Sequence, residues 1–313
     1  MKQKSYSGAL SAILSAVLPL LLSGCSSALM DPKGQVGEEQ RVLIITAFVL
    51  MLIVVIPVIV MTILFAYRYR EGNKDAAYTP DWAHSTAIEV VVWFIPCVII
   101  VVLAVLTWIT SHSLNPMKPI AAADGQEPIE IQAVSLDWKW LFIYPAQRVA
   151  TVNEVAFPAD RPIHFRISSG SVMNSFWIPE LGSQIYAMAG MDSSLHLIAD
   201  EQGTFPGRST NYSGAGFSEM TFDAHALSDK AFRDWVKKVG ESGQSLSFNK
   251  GYQALAEPST DVPVQYYSDV SPDLYKNILN SFRKGMEAGG EHGESGENGK
   301  AKHGEPMNAE AAE

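Results

Sequence analysis

Two long apolar runs dominate the first third of the chain. From Val42 to Tyr67 there is no charged residue, enough to cross a bilayer as a helix with some tilt. Pro57 lies inside this run and predicts a kink of the kind membrane helices accommodate. A second uncharged run starts at Val90 and passes Ile109, with Trp93 and Trp108 near its ends, where indole rings anchor at membrane–water interfaces. The pattern then changes period. Ile129, Ile131 and Ala133 alternate with Glu130 and Gln132, and Ile163, Phe165 and Ile167 alternate with His164 and Arg166. Leu195 and Leu197 flank His196, while Met220 and Phe222 flank Thr221. Period-two alternation marks half-buried strands, and the Gly, Pro, Ser and Asn clusters between them are the turns of an antiparallel sandwich or barrel spanning roughly Gly125 to His225. Helical spacing returns afterwards. Ser228 is placed to cap a helix bearing Phe232, Trp235, Val236 and Val239 on one face. Ser271-Pro272-Asp273 opens another, whose stripe of Leu274, Ile278, Leu279 and Phe282 ends before Gly285. From Glu287 the chain is Gly, Glu, Lys, Asn and Ala with few large apolar residues, which predicts disorder; His292 and His303 fall in this tail and are read as solvated.

The N-terminus carries a shorter apolar run, Ala9 to Leu22, behind Lys2 and Lys4, the anatomy of a signal peptide. It ends in Leu22-Ser23-Gly24-Cys25, which resembles the bacterial lipoprotein box; Cys25 is the candidate lipidation site and mature N-terminus. The linker between the two spans carries Arg68, Arg70 and Lys74, so it is cytoplasmic by the positive-inside rule. Cys25 and everything after about Ser111 then lie outside, and the two signals agree. The 313 residues, 47 % hydrophobic, suffice for a membrane section and one soluble domain of ordinary size. A net charge of −10 argues against a nucleic-acid surface, and two cysteines, Cys25 and Cys97, imply no disulfide framework. The expected organisation is a signal peptide over 1–24, a lipidated N-terminus and two-helix transmembrane hairpin over 25–114, a β domain over 115–240, an aromatic-rich helical segment over 241–285 and a disordered tail over 286–313. The fold class is membrane α plus all-β.

Several motifs follow one another in order. The second apolar run begins Ile88-Glu89-Val90-Val91-Val92-Trp93-Phe94-Ile95-Pro96, and an aromatic run, Asp137-Trp138-Lys139-Trp140-Leu141-Phe142-Ile143-Tyr144-Pro145, comes next. Met173-Asn174-Ser175-Phe176-Trp177-Ile178-Pro179 and the loop from Gly207 to Met220 complete the set. Together they resemble subunit II of the haem–copper respiratory oxidases over most of the chain, from Glu38 to about Phe282. The resemblance implies a two-helix hairpin followed by an external cupredoxin-like β-sandwich or barrel.

Copper-bearing members of that family hold a binuclear CuA centre. Their pattern places Asn174 at the first histidine, Ser209 and Ser213 at the two cysteines, Asn211 at the glutamate and Phe217 at the second histidine; Met220 alone matches. A soft, fast electron-transfer copper site needs thiolate and imidazole ligands. Serine hydroxyls are neutral, phenylalanine has no donor atom, and no cysteine follows Cys97. No metal is therefore expected in this chain, and Met220 reads as a core side chain. Within the family this loss implies the quinol oxidases of the cytochrome bo type, whose donor reaches the haem-bearing subunit from within the bilayer. That branch implies ubiquinol as substrate of a proton-pumping complex and O2 as acceptor. Haems and copper would belong to subunit I, and this chain would be a non-cofactor subunit of the bacterial inner membrane. Its partners would be subunit I, smaller membrane subunits and membrane lipid. Two alternatives are a CuA-bearing cytochrome c oxidase subunit II, which copper binding by the external domain would reveal, and a free membrane lipoprotein binding module, which would purify without a haem-bearing partner.

Individual residues follow. The resemblance places Glu89 near the mouth of a proton-uptake channel in subunit I; by itself it is a carboxylate at a helix N-terminus, favourable for the dipole. Trp138 and Trp140 match an aromatic segment that receives electrons in copper-bearing relatives; without copper, both are expected to pack between this domain and the oxidase core. His164, His196 and His225 read as structural, and His84 and His112 have no assigned role.

Overall fold

A computed structural model describes residues 28–77, 79, 81–121 and 125–283. The signal segment, Cys25 and the tail after residue 283 lie outside the described residues. Both apolar runs are helices: α1, Gln35–Arg68, and α2, Thr86–Ser113. Their side chains are exposed along almost their whole length, Trp93 and Trp108 included, as helices that face lipid or other membrane subunits require. Pro57 and Pro96 are both inside helices.

After α2 the described residues form thirteen strands. One sheet joins β1 (Ile129–Leu136), β2 (Lys139–Tyr144), β3 (Val149–Val152), β5 (Ile163–Ser169), β8 (Ser193–Leu197) and β12 (Gln265–Tyr267), in the order β12-β3-β2-β1-β5-β8. The opposing sheet joins β4 (Glu154–Pro158), β6 (Asn174–Ile178), β7 (Gly182–Ala187), β9 (Gly203–Ser209) and β10 (Thr221–Leu227), in the order β4-β10-β9-β6-β7. A two-stranded sheet pairs β11 (Ser245–Leu246) with β13 (Asp269–Val270). Pairs β1–β5 and β4–β10 are parallel and their neighbours antiparallel, the mixed pairing of a cupredoxin-like sandwich. Its centre is aromatic. Phe176 stacks on Phe222 at 5.1 Å, with Trp140 and Phe142 meeting Phe176 and Phe222 edge-on at 5.2 and 5.0 Å, geometries that satisfy ring quadrupoles as well as volume.

The first sheet is buried on both faces. Alternate residues of β2 divide between two cores: Trp140, Phe142 and Tyr144 enter the sandwich, while Leu141 and Ile143 join a second cluster with Leu246, Tyr252, Leu274 and Ile278. That cluster is supplied by the chain after the sandwich, through α4 (Tyr252–Ala256) and α5 (residues 274–283). This explains why β2 reads as an unbroken apolar run, the signature of a strand covered on both sides. α3, Asp229–Gly240, packs on β3, β4, β10 and β12 and is capped as expected by Ser228, whose Oγ accepts the Ala231 N–H at 3.3 Å, with Phe232 and Val239 buried in the sandwich core.

The hairpin is fastened to the sandwich by backbone. The Lys33 N–H donates to Glu180 O at 2.7 Å, Gly37 N–H to Leu181 O at 3.1 Å, and Asp200 N–H to Lys33 O at 2.9 Å. Gly182 has φ +116°, and a Cβ there would sit 2.8 Å from the Gly37 nitrogen. Only glycine allows both the conformation and the approach.

Candidate functional site

The loop from Gly207 to Met220, whose residues were compared with the copper-ligand pattern, is assembled by strand register. β6 and β9 pair Phe176 with Ser209, so Asn174 at the start of β6 faces Ser209 at the end of β9. The Ser209 Oγ donates to Asn174 Oδ1 at 2.7 Å, a buried bond between side chains 4 % and 0 % exposed. The Ser209 N–H also donates to Met220 O at 3.1 Å, and Met220 is buried in the sandwich core. Asn174, Ser209 and Met220 therefore converge. Asn211 and Phe217 do not join them: the Asn211 Nδ2 donates to Met173 O at 3.0 Å, and the half-buried Phe217 meets the exposed Tyr212 edge-on at 5.7 Å. The Ser213 hydroxyl is buried with no hydrogen-bond partner among the described residues.

Trp138 closes this loop. It occupies the two-residue turn between β1 and β2 with φ +64°, a costly backbone state for a bulky residue, held only where the surroundings dictate it. Its Nε1–H donates to Ser213 O at 3.1 Å, and its ring lies against Gly214 and Gly216. A Cβ on Gly216 would fall 2.6 Å from the indole. Trp140, by contrast, is wholly buried in the core of its own domain. The expectation that both tryptophans pack against another subunit is thus corrected for Trp140: β2 turns successive side chains to opposite faces, and this one faces inward.

The donor set does not fit copper. Ser209 gives its proton to an amide oxygen, Asn174 is an amide, Phe217 offers no lone pair, and the Met220 thioether alone is weak. Among the described residues no group of three His, Cys, Asp or Glu is placed to hold a metal ion, and the described cysteine, Cys97, lies in α2.

The histidines occupy two other places. His164 and His196 are cross-strand partners on β5 and β8, stacked at 4.4 Å and 6°. Burial, then the neighbouring His164, pushes His196 below its ordinary 6.5. His225 on β10 lies 3.7 Å from Glu154, and the Glu154 carboxylate also accepts Trp235 Nε1–H at 2.8 Å and Tyr266 O–H at 3.0 Å. The bond to Glu154 raises His225, against its burial. Burial opposes ionisation of Glu154, but its three donors overcome this and hold it below its ordinary 4.5. The signs are distinct. His225 contributes stability that is complete below 6.5 and is lost as pH rises through its raised value; Glu154 contributes stability lost as pH falls through its lowered value. The denaturation midpoint should therefore fall as pH rises from about 6.5 through the raised value of His225, and the fall should shrink in a His225→Gln variant. Equal slopes in thermal melts of parent and variant would refute this.

Glu89 sits in the first turn of α2, with its N–H bonded to Ser85 O at 3.0 Å. Its Oε1 lies 3.6 Å from His84 Nδ1, both side chains being exposed. Sequence reading gave His84 no role; the five-residue spacing across the helix start was the signal available.

The family model described as "Cytochrome C oxidase subunit II, periplasmic domain" matches residues 129–227, and "COX Aromatic Rich Motif" matches residues 241–286. The chain is 57 % identical over 283 residues to cytochrome bo(3) ubiquinol oxidase subunit 2 of Pseudomonas aeruginosa, spanning 90 % of this chain and 84 % of that one. It is 54 % identical to the protein of the same name from Pseudomonas putida, over 86 % of this chain and 85 % of that one. It is 51 % identical to ubiquinol oxidase subunit 2 of Acetobacter aceti, over 85 % of this chain and 86 % of that one. At such identity over nearly the whole length, the chain belongs to the family of ubiquinol oxidase subunit 2.

Proposed function

We propose that this chain serves, in a proton-pumping terminal ubiquinol oxidase, as the subunit that carries no redox centre. The Ser209–Asn174 hydrogen bond carries this reading, because a neutral, closed pair stands where an electron relay would need soft, charged ligands. With no relay through the external domain, electrons enter the complex from ubiquinol within the bilayer, and the haems and copper belong to subunit I. This chain then anchors, caps and stabilises that core. Val172, Met173, Tyr186 and Tyr212 are exposed around the loop and supply an apolar surface suited to docking on it. Lipidation at Cys25 in the bacterial inner membrane, with the external domain periplasmic, completes the placement. Ser209→Ala and Ser213→Ala complexes should oxidise ubiquinol at the parent rate. A large loss of turnover, with haem content intact, would show an electron path through this loop.

Glu89 is the residue of this subunit suited to proton entry, as an exposed carboxylate at the cytoplasmic helix end beside a titratable His84. Glu89→Gln should slow proton uptake in the assembled oxidase, read as a reduced ratio of pumped protons to O2 consumed. Unchanged turnover and pumping would end the assignment.

A further inference from the structure

The two helices of the hairpin enclose a cleft of about 510 Å³ within the membrane section. Every side chain that lines it is apolar, and both helix prolines are among them. From α1 it takes Ile53, Pro57 and Met61, and from α2 Val92, Ile95 and Pro96.

Each proline changes the helix turn before it. Proline has no N–H, so Pro57 cannot donate to Ile53 O, and Pro96 cannot donate to Val92 O. Residues four apart share a helix face, and both members of each pair line the cleft. The two carbonyls released from the regular ladder therefore belong to its walls, one on each side. Hydroxyls of the hairpin do not replace the missing donors. Thr46 and Thr62 bond Val42 O and Val58 O, while Thr110 and Ser111 bond carbonyls from Leu106 onward. Among the described residues no side chain donates to Ile53 O or Val92 O. Depth excludes bulk water. Ile53 lies eleven residues past Val42 and fourteen before Tyr67 in the uncharged run, about 16 and 21 Å along the axis. A carbonyl freed in hydrocarbon is costly unless a donor reaches it, so the occupant of the cleft brings donors of its own.

We propose that the cleft holds one quinol of the ubiquinol class, beside the haem-bearing subunit; this rests on the ubiquinol oxidase reading above. The two phenolic hydroxyls stand at opposite ends of one ring and donate to Ile53 O and Val92 O. The ring fills the space between Pro57 and Pro96, and the isoprenoid tail leaves into lipid. Both protein groups are acceptors. The oxidised quinone offers only acceptor oxygens and gains neither bond, so the cleft separates substrate from product. It is a holding site and not the place of oxidation, because no titratable side chain lines it to take the two protons that oxidation releases. A transmembrane helix of another subunit is the competing occupant. It is a cylinder about 10 Å across, and a serine or threonine on it reaches one wall and leaves the other carbonyl unpaired.

The test uses the intact oxidase complex in lipid nanodiscs without oxygen, so that quinol is not consumed, and counts quinol retained per haem after equilibrium dialysis. The parent should hold one more quinol in this state than it holds quinone in the aerated, oxidised state. Pro57→Ala and Pro96→Ala each restore a backbone N–H and close one carbonyl. Each should weaken the extra quinol about three- to tenfold and leave quinone binding unchanged. Val91→Phe fills the cleft with both carbonyls untouched and should remove the extra quinol. In turnover all three should raise KM for ubiquinol and keep kcat, with unchanged haem spectra verifying assembly. Equal counts of quinol and quinone on the parent would overturn the proposal. So would retention indifferent to all three substitutions, the result expected of a cleft closed by another subunit's helix. A parent that holds the extra quinol without oxidising ubiquinol would keep the site and sink the functional reading instead.

Discussion

Phe176→Ala is expected to destabilise the sandwich by about 3–5 kcal/mol. Phe176 is fully buried, and its ring touches four others: it stacks on Phe222, meets Trp140 and Phe142 edge-on, and lies 5.1 Å from Phe165. These rings come from both sheets, so truncation opens a cavity at the point where the layers interlock, and rigid strands on either side collapse into it only partly. Phe176 is also the register partner of Ser209. The Asn174–Ser209 bond therefore depends on it, and the loop should become susceptible to protease before the hairpin is affected. Phe176→Leu, which keeps most of the volume, should lose much less. Thermal melts of the purified complex followed by tryptophan fluorescence would decide. A midpoint unchanged within a degree or two would show that the aromatic cluster is not the keystone.

Lys139→Ala should act in a different place. Lys139 is 1 % exposed, an unusual position for an ammonium group. Its Nζ donates to Glu257 O at 2.8 Å, Ser259 Oγ at 2.5 Å and Asp137 O at 3.4 Å. Burial holds its pKa below the usual lysine value, with Asp137 partly opposing. The side chain thus pins the incoming C-terminal segment to β2. Removing it leaves two carbonyls and a hydroxyl without their donor, at about 2–4 kcal/mol. The damage should be regional: the layer from Leu246 to Leu279 should exchange amide hydrogens faster, while β1 and β5 keep their protection. Lys139→Met retains the stem packing and should fall between the two. Uniform acceleration across both cores, or none, would count against a local clasp.

The helices were legible because their signals are local. Twenty or more uncharged apolar residues leave a chain no stable alternative to a membrane helix, and Ser228 followed by an apolar stripe specifies a capped amphipathic helix wherever it packs. The absent copper donors were equally legible, since chemistry that lacks the atom cannot be restored by folding. The strands were half legible. Glu130 and Gln132 were read as a solvent face, yet Gln132 is 8 % exposed. What buries it arrives more than a hundred residues later, as a layer whose sequence says nothing about which strand it will cover. The left-handed Trp138 and the stacked His164–His196 pair were hidden for the same reason. Each depends on a partner set by strand order and not by neighbours in the chain.

Residue order alone specifies two membrane helices, a β domain, a capped helix after it, and a loop without ligands for a thiolate copper centre. These follow from hydrophobic period, cap chemistry and the presence or absence of donor atoms, all of which are counted along the chain. Folding in three dimensions closes Ser209 on Asn174 and turns Trp140 inward while Trp138 shields the loop. Those are pairings between residues far apart in sequence, fixed by sheet register and layer packing, where a shift of one residue sends every side chain to the other face.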